Sequence, residues 1–103
     1  MERNGNASHV ALFSVAGSED LNKKNLERVM GQLERQMQVN LRRGDVVSRC
    51  SVSQLIVMLP NANYENSCMV CRRLLAAFHQ TYPRAGIKVN FMVQPLTPNI
   101  LVP

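Results

Sequence analysis

The sequence predicts one α/β (α+β) domain with the element order βαββαβ, and three observations carry that prediction. Two stretches, Leu26 to Leu41 and Tyr64 to Tyr82, repeat apolar residues at the period of one helix face. Ile87, Val89, Phe91 and Val93 alternate with Lys88, Asn90, Met92 and Gln94, the period-two pattern of a half-buried strand. Val46 to Cys50 and Leu55 to Leu59 are β-prone runs separated only by Ser51 to Gln54, so an antiparallel hairpin joins them.

The elements follow in order. After a polar leader over residues 1–8, His9 to Ala16 (HVALFSVA) is a short apolar run ending at Gly17 and reads as the first strand. Ser18, Glu19 and Asp20 supply helix-starting side chains and first-turn acids. The first helix then places Leu26, Val29, Met30, Leu33, Met37 and Leu41 on one face, with Gly31 as its weakest position. Arg42 and Arg43 complement its C-terminus, and Gly44 suits a left-handed closing position. The hairpin follows. Its second run, LIVML, is apolar on both faces, which marks a central strand covered by helices on at least one side. Pro60, Asn61 and Asn63 stop it, and Tyr64, Cys68, Cys71, Leu74, Leu75, Phe78 and Tyr82 form a second amphipathic helix up to Pro83. The last strand ends at Pro95. Right-handed crossovers give a ferredoxin-like arrangement, a four-stranded antiparallel sheet with two helices on one face, spanning residues 9–97 before a tail over 98–103.

The 103 residues, 46% of them apolar, suffice for one core and exclude two domains. No apolar run approaches a membrane span, and MERNGNAS lacks the apolar middle of a signal peptide, so a cytoplasmic domain without membrane contact is expected. A formal charge of +5 permits an anionic partner, which leaves a basic nucleic-acid-binding module as one alternative. The basic residues are scattered in pairs, however, and two tyrosines and three phenylalanines are few for stacking on bases, so direct DNA contact is not expected. Cys50, Cys68 and Cys71 are an odd count without framework spacing. Cys68 and Cys71 form a CxxC inside a helix rather than at its N-terminus, with no second pair and no histidine at finger spacing, so these are structural thiols and no metal is expected. Met30, Met37, Met58 and Met69 lie in core-patterned segments and are expected inside, and Arg49 is expected at a sheet edge or rim.

LRRGDVVSRCSVSQLIVMLPNANYENSCMVCRRL, residues 41–74, resembles the core of the GGDEF family of diguanylate cyclases. That family reads LRxxDxxxRYGGDEFxxxLP followed by a helix, and the frame holds here without a gap across about a third of the chain. The segment is also similar to a module of larger cytoplasmic transcriptional activators of Gram-positive bacteria. The resemblance implies a nucleotide-cyclase-like fold and places the signature hairpin on Ser51, Val52, Ser53, Gln54 and Leu55.

The departures from the family bear on chemistry. Val52 brings a β-branched side chain where the family's glycine lets the backbone approach a guanine nucleotide. Gln54 is neutral where the family's acid holds a divalent cation, and His9 to Ala16 contains no Asp or Glu to supply the further carboxylate. The family's FKxIND and GHxxGD guanine-recognition segments have no counterpart between Ala16 and Asn25. No catalytic residue and no cofactor is therefore assigned. Arg42 and Asp45 form an RxxD placed as in the family's inhibitory product site for cyclic di-GMP, and Arg73 falls where its helix contributes a second arginine. Guanidinium forks bind phosphates and a guanine edge, while a carboxylate accepts from guanine N1 and N2. The bland roles are a helix end, a turn cap and a solvated face. The expectation is a non-catalytic GGDEF-like regulatory or protein-interaction domain of a larger bacterial protein in signal transduction or transcription regulation. Its expected partners are other domains of the parent or a second copy, and the alternative is a cyclic di-GMP receptor.

Overall fold

The computed structural model describes residues 8–17, 23–82 and 87–96. The elements are β1 (His9–Gly17), α1 (Lys23–Asn40), β2 (Val46–Ser51), β3 (Gln54–Leu59), α2 (Tyr64–Thr81) and β4 (Ile87–Pro95), in the βαββαβ order that the sequence predicts. The strands form one sheet in the order β2-β3-β1-β4, and every neighbouring pair is antiparallel. Each helix thus carries the chain past one intervening strand, the split connection of the ferredoxin-like arrangement. Residues 1–7, Ser18 to Asp20, Pro83 and the expected tail lie outside the described residues.

Strand alternation decides which side chains enter the core. His9, Ala11, Phe13 and Val15 of β1 are buried, and so are Leu55, Val57 and Leu59 of β3 and Val89 of β4. The register aligns them in rows, His9 beside Leu59, Ala11 beside Val57 and Val93, and Phe13 beside Leu55 and Phe91. Val29, Met30, Leu33 and Met37 of α1 and Cys71, Leu74 and Phe78 of α2 close over that face. The opposite face bears no helix among the described residues. Met58 is 40% exposed there, Val46 52% and Met92 60%, beside half-buried Val10, Leu12 and Ile56.

Four local expectations are corrected by this geometry. Met58 and Met69 are exposed, because one lies on the helix-free sheet face and the other on the outer side of α2; only Met30 and Met37 are core. Arg42 and Arg43 lie beyond α1, which ends at Asn40, and not in its last turn. Gly44 is left-handed, with φ 99°, but as the third residue of the turn closed by Asp45 N–H donating to Arg42 C=O at 3.0 Å, not as the closing residue of the helix. The hairpin strands run one residue further than expected, to Ser51 and from Gln54, which leaves Val52 and Ser53 as a two-residue tip.

Arg49 lies on the edge strand β2, as expected, and faces the helix layer. Its guanidinium donates to Glu27 at 2.7 Å and to Glu34 at 3.0 Å, two carboxylates two turns apart on α1. These bonds, that to Glu27 first, hold the guanidinium pKa above its ordinary value.

Candidate functional site

The α1–β2 turn and the start of α2 build a groove of about 220 Å³. Arg42 and Asp45 enter it from the turn and Arg73 from α2, so the three residues singled out in the sequence line one cavity. Asn40, Asn61 and Asn66 add amides to its lining, and Ala62, Val70 and the exposed Met69 add apolar surface. A second groove of about 250 Å³ continues along α2 past Leu74 and Ala77, with Arg73, Asn40 and Val70 common to both.

The three charged residues have different freedom. The Arg42 side chain is 69% exposed, whereas the Asp45 side chain is only 3% exposed. Asp45 Oδ2 accepts the Arg42 backbone N–H at 3.1 Å and stands 3.8 Å from Arg42 Nε, so this carboxylate first of all fastens the turn. Arg73 is exposed on α2. Two arginines against one carboxylate leave the charged lining of the groove net positive, which suits a phosphate-bearing ligand.

The amides of the groove were not foreseen, because no spacing rule singles out asparagine as a ligand. Their signal lies in backbone geometry. Asn61 has φ 59°, the left-handed region that asparagine tolerates. Asn63 caps α2, its side chain accepting Asn66 N–H at 2.7 Å, and these turns carry the chain from β3 into α2 beside the groove.

The hairpin tip stands at the far end of β2, about 20 Å away for six residues of strand. Ser51 Oγ donates to Gln54 Oε1 at 3.2 Å, and Gln54 Nε2 donates to Ser14 Oγ of β1 at 3.3 Å. Val15 N–H donates to Ser53 C=O at 2.9 Å, which draws the tip against β1. Val52 is 69% exposed. The Ser51 and Gln54 side chains are thus spent on one another and on Ser14 of β1. Among the described residues no group of three or more His, Cys, Asp or Glu could hold a metal ion.

The remaining sequence candidates have structural surroundings. Cys68 and Cys71 are buried and unpaired, while Cys50 is exposed. Burial, with a smaller contribution from Cys68, pushes the Cys71 thiol up to about 12. A thiol so placed stays protonated and unreactive at neutral pH. His9 is buried, with Nδ1–H donating to Ala62 C=O at 2.6 Å, and thereby ties β1 to the loop ahead of α2. No helix among the described residues is long and apolar enough to cross a membrane.

No family model matches the sequence, and no curated protein matches it. Solved structures do match. The GGDEF domain of FimX from Pseudomonas aeruginosa superposes with a TM-score of 0.72 at 19% identity, over 89% of this chain and 62% of that one. A DGC protein from Thermotoga maritima gives 0.70 at 12% identity, over 90% and 66%. The GGDEF domain of DgcB from Caulobacter crescentus, solved in complex with c-di-GMP, gives 0.68 at 10% identity, over 92% and 63%. The chain spans 62–66% of the length of these three structures.

Proposed function

We propose, on the premise that this chain has the fold of the GGDEF domains, that it is a non-catalytic regulatory or protein-interaction domain of a larger bacterial signalling or transcription-regulatory protein. The hairpin carries the reading. Gln54 occupies the position where the resemblance puts a metal-holding acid, and its amide is engaged by Ser14 at 3.3 Å. β1 has no carboxylate to help. A hard divalent cation over a triphosphate needs anionic oxygens to offset the phosphate charge, so the residues present do not fit the metal and no phosphoryl-transfer step follows from them. Incubation of the purified chain with GTP and magnesium or manganese is expected to give no cyclic di-GMP above the protein-free background. Gln54→Glu is expected not to rescue it, since β1 still lacks its acid. Product that persists after repurification overturns the reading.

One observation favours a second reading, a cyclic di-GMP receptor: Arg42, Asp45 and Arg73 share a groove. Against it, the Asp45 carboxylate is buried and already accepts from the Arg42 backbone. Calorimetry on the same preparation separates the two. The interaction-domain reading expects no saturable heat with cyclic di-GMP at tens of micromolar protein. Saturable micromolar binding, about −8 kcal/mol, that disappears in folded Arg42→Ala and Asp45→Ala replaces it with the receptor.

A further inference from the structure

The two grooves beside α2 join into one. Arg73, Asn40 and Val70 line both, while the first runs back to Asn61 and Asn66 and the second runs forward to Gln80. From Asn66 to Gln80 the helix covers about 21 Å. Between those amides the lining is apolar, with half-buried Val70 followed by Leu74, Ala76 and Ala77. The two alanines are short, and the space beside them stays open.

The polar groups along this joined groove are not spent on the fold. Its one carboxylate among the described residues, Asp45, is the exception: it is 3% exposed and already accepts the Arg42 backbone N–H. Arg42 stands 3.8 Å from that carboxylate with most of its side chain in water. The Arg73 guanidinium has no ion pair or hydrogen bond among the described residues, and the side-chain amides of Asn61, Asn66 and Gln80 have no hydrogen bond either. The groove thus offers two guanidiniums to anions, and amides that both donate and accept, beside an apolar strip.

We infer that the joined groove docks an extended acidic peptide segment of a partner protein, with carboxylates on Arg42 and Arg73 and apolar side chains on the strip past Val70. The inference rests on the interaction-domain reading and gives that domain its surface. Charge sets the sign of the occupant. Two arginines against one buried, committed carboxylate leave the charged lining net positive, and a guanidinium fork takes a carboxylate bidentately. Length sets its form. A cyclic dinucleotide held by Arg42, Asp45 and Arg73 has all three in the first groove and leaves the second without a role. About six residues of extended chain reach 20 Å, which matches the run from Asn66 to Gln80. Such a chain needs partners for its own N–H and C=O groups, which side-chain amides supply. Its side chains alternate in direction, so a segment alternating acidic with apolar residues turns one set to the arginines and the other to Val70 and Leu74.

Fluorescence anisotropy with the purified full chain tests it, using a fluorescein-labelled peptide of three Asp-Leu repeats and its neutral counterpart of three Asn-Leu repeats. The acidic peptide is expected to bind saturably below roughly 1 mM, and about fivefold tighter than the neutral one. Arg73→Glu is expected to weaken it about tenfold, and Gln80→Lys, which adds an ammonium to the second groove alone, to strengthen it about threefold. Arg35→Glu makes the same charge change as Arg73→Glu on α1, outside both linings, and is expected to leave the affinity within about twofold. All three positions are exposed, so circular dichroism and urea unfolding are expected to stay unchanged. Absence of saturable binding, equal losses in Arg73→Glu and Arg35→Glu, or indifference to Gln80→Lys overturns the inference alone, and the interaction domain then meets its partner on another surface. Unlabelled cyclic di-GMP that displaces the peptide overturns the inference together with the reading beneath it, since the groove is then a nucleotide site.

Discussion

Gly44 is a residue whose backbone alone sets its identity. At φ 99° a β-carbon is strained, although one built there would meet nothing within 4 Å. Gly44→Ala is therefore expected to lower stability by about 1 kcal/mol or more, read from the urea midpoint, and a neutral result would contradict the turn that presents Arg42 and Asp45. Ser67 is the opposite case. It is fully buried on α2 and its hydroxyl has no hydrogen-bond partner. Ser67→Ala removes a desolvated hydroxyl and improves helix propensity, so stability is expected to rise by about 1 kcal/mol in the same assay. The left-handed glycine was legible in the sequence because a glycine after an amphipathic stretch has a specific backbone meaning. The buried serine was not, since a polar letter in a helical pattern gives no sign of an unmet hydrogen bond.

Between elements, the ion pairs that tie α1 to the sheet edge all run through one side chain. Arg49 reaches Glu27 and Glu34 from β2, and its guanidinium passes over Gly31, where a β-carbon would lie 3.8 Å from Nη2. The pairs are partly exposed, with 33% of the Arg49 side chain, 66% of Glu27 and 27% of Glu34 accessible, so water screens them. Arg49→Ala is expected to cost about 1 kcal/mol in low salt and less in 1 M salt, and a loss independent of salt would point to packing of the stem instead. The position of Arg49 on an edge was legible from strand alternation. Its partners were not, because periodicity reports which face a residue occupies and not which distant carboxylate stands over that face. The same limit explains Met58: the apolar letters of β3 marked a central strand correctly, but only assembly of the sheet shows that, among the described residues, one of its faces has no helix on it.

At the scale of the molecule, hydrophobic period and turn residues were enough for the element order and the antiparallel sheet. Grouping Arg42, Asp45 and Arg73 took the family resemblance, since the loop and the helix that bring them together are distant in sequence. The strand order has one more effect, which concerns synthesis. β1 lies inside the sheet, between β3 and β4, and its His9 pairs with both Leu59 and Pro95. Of the four described strands, the first to leave the ribosome is therefore the one whose second ladder waits for the fourth to emerge. Until then the apolar row of β1, including Ala11 and Phe13, has only one neighbour to pair with, and closure of that long loop is a late and slow event. A nascent chain halted before Ile87 would keep α1 and the β2–β3 hairpin but hold β1 with a raw inner edge, the species most open to proteases and to misplaced strands.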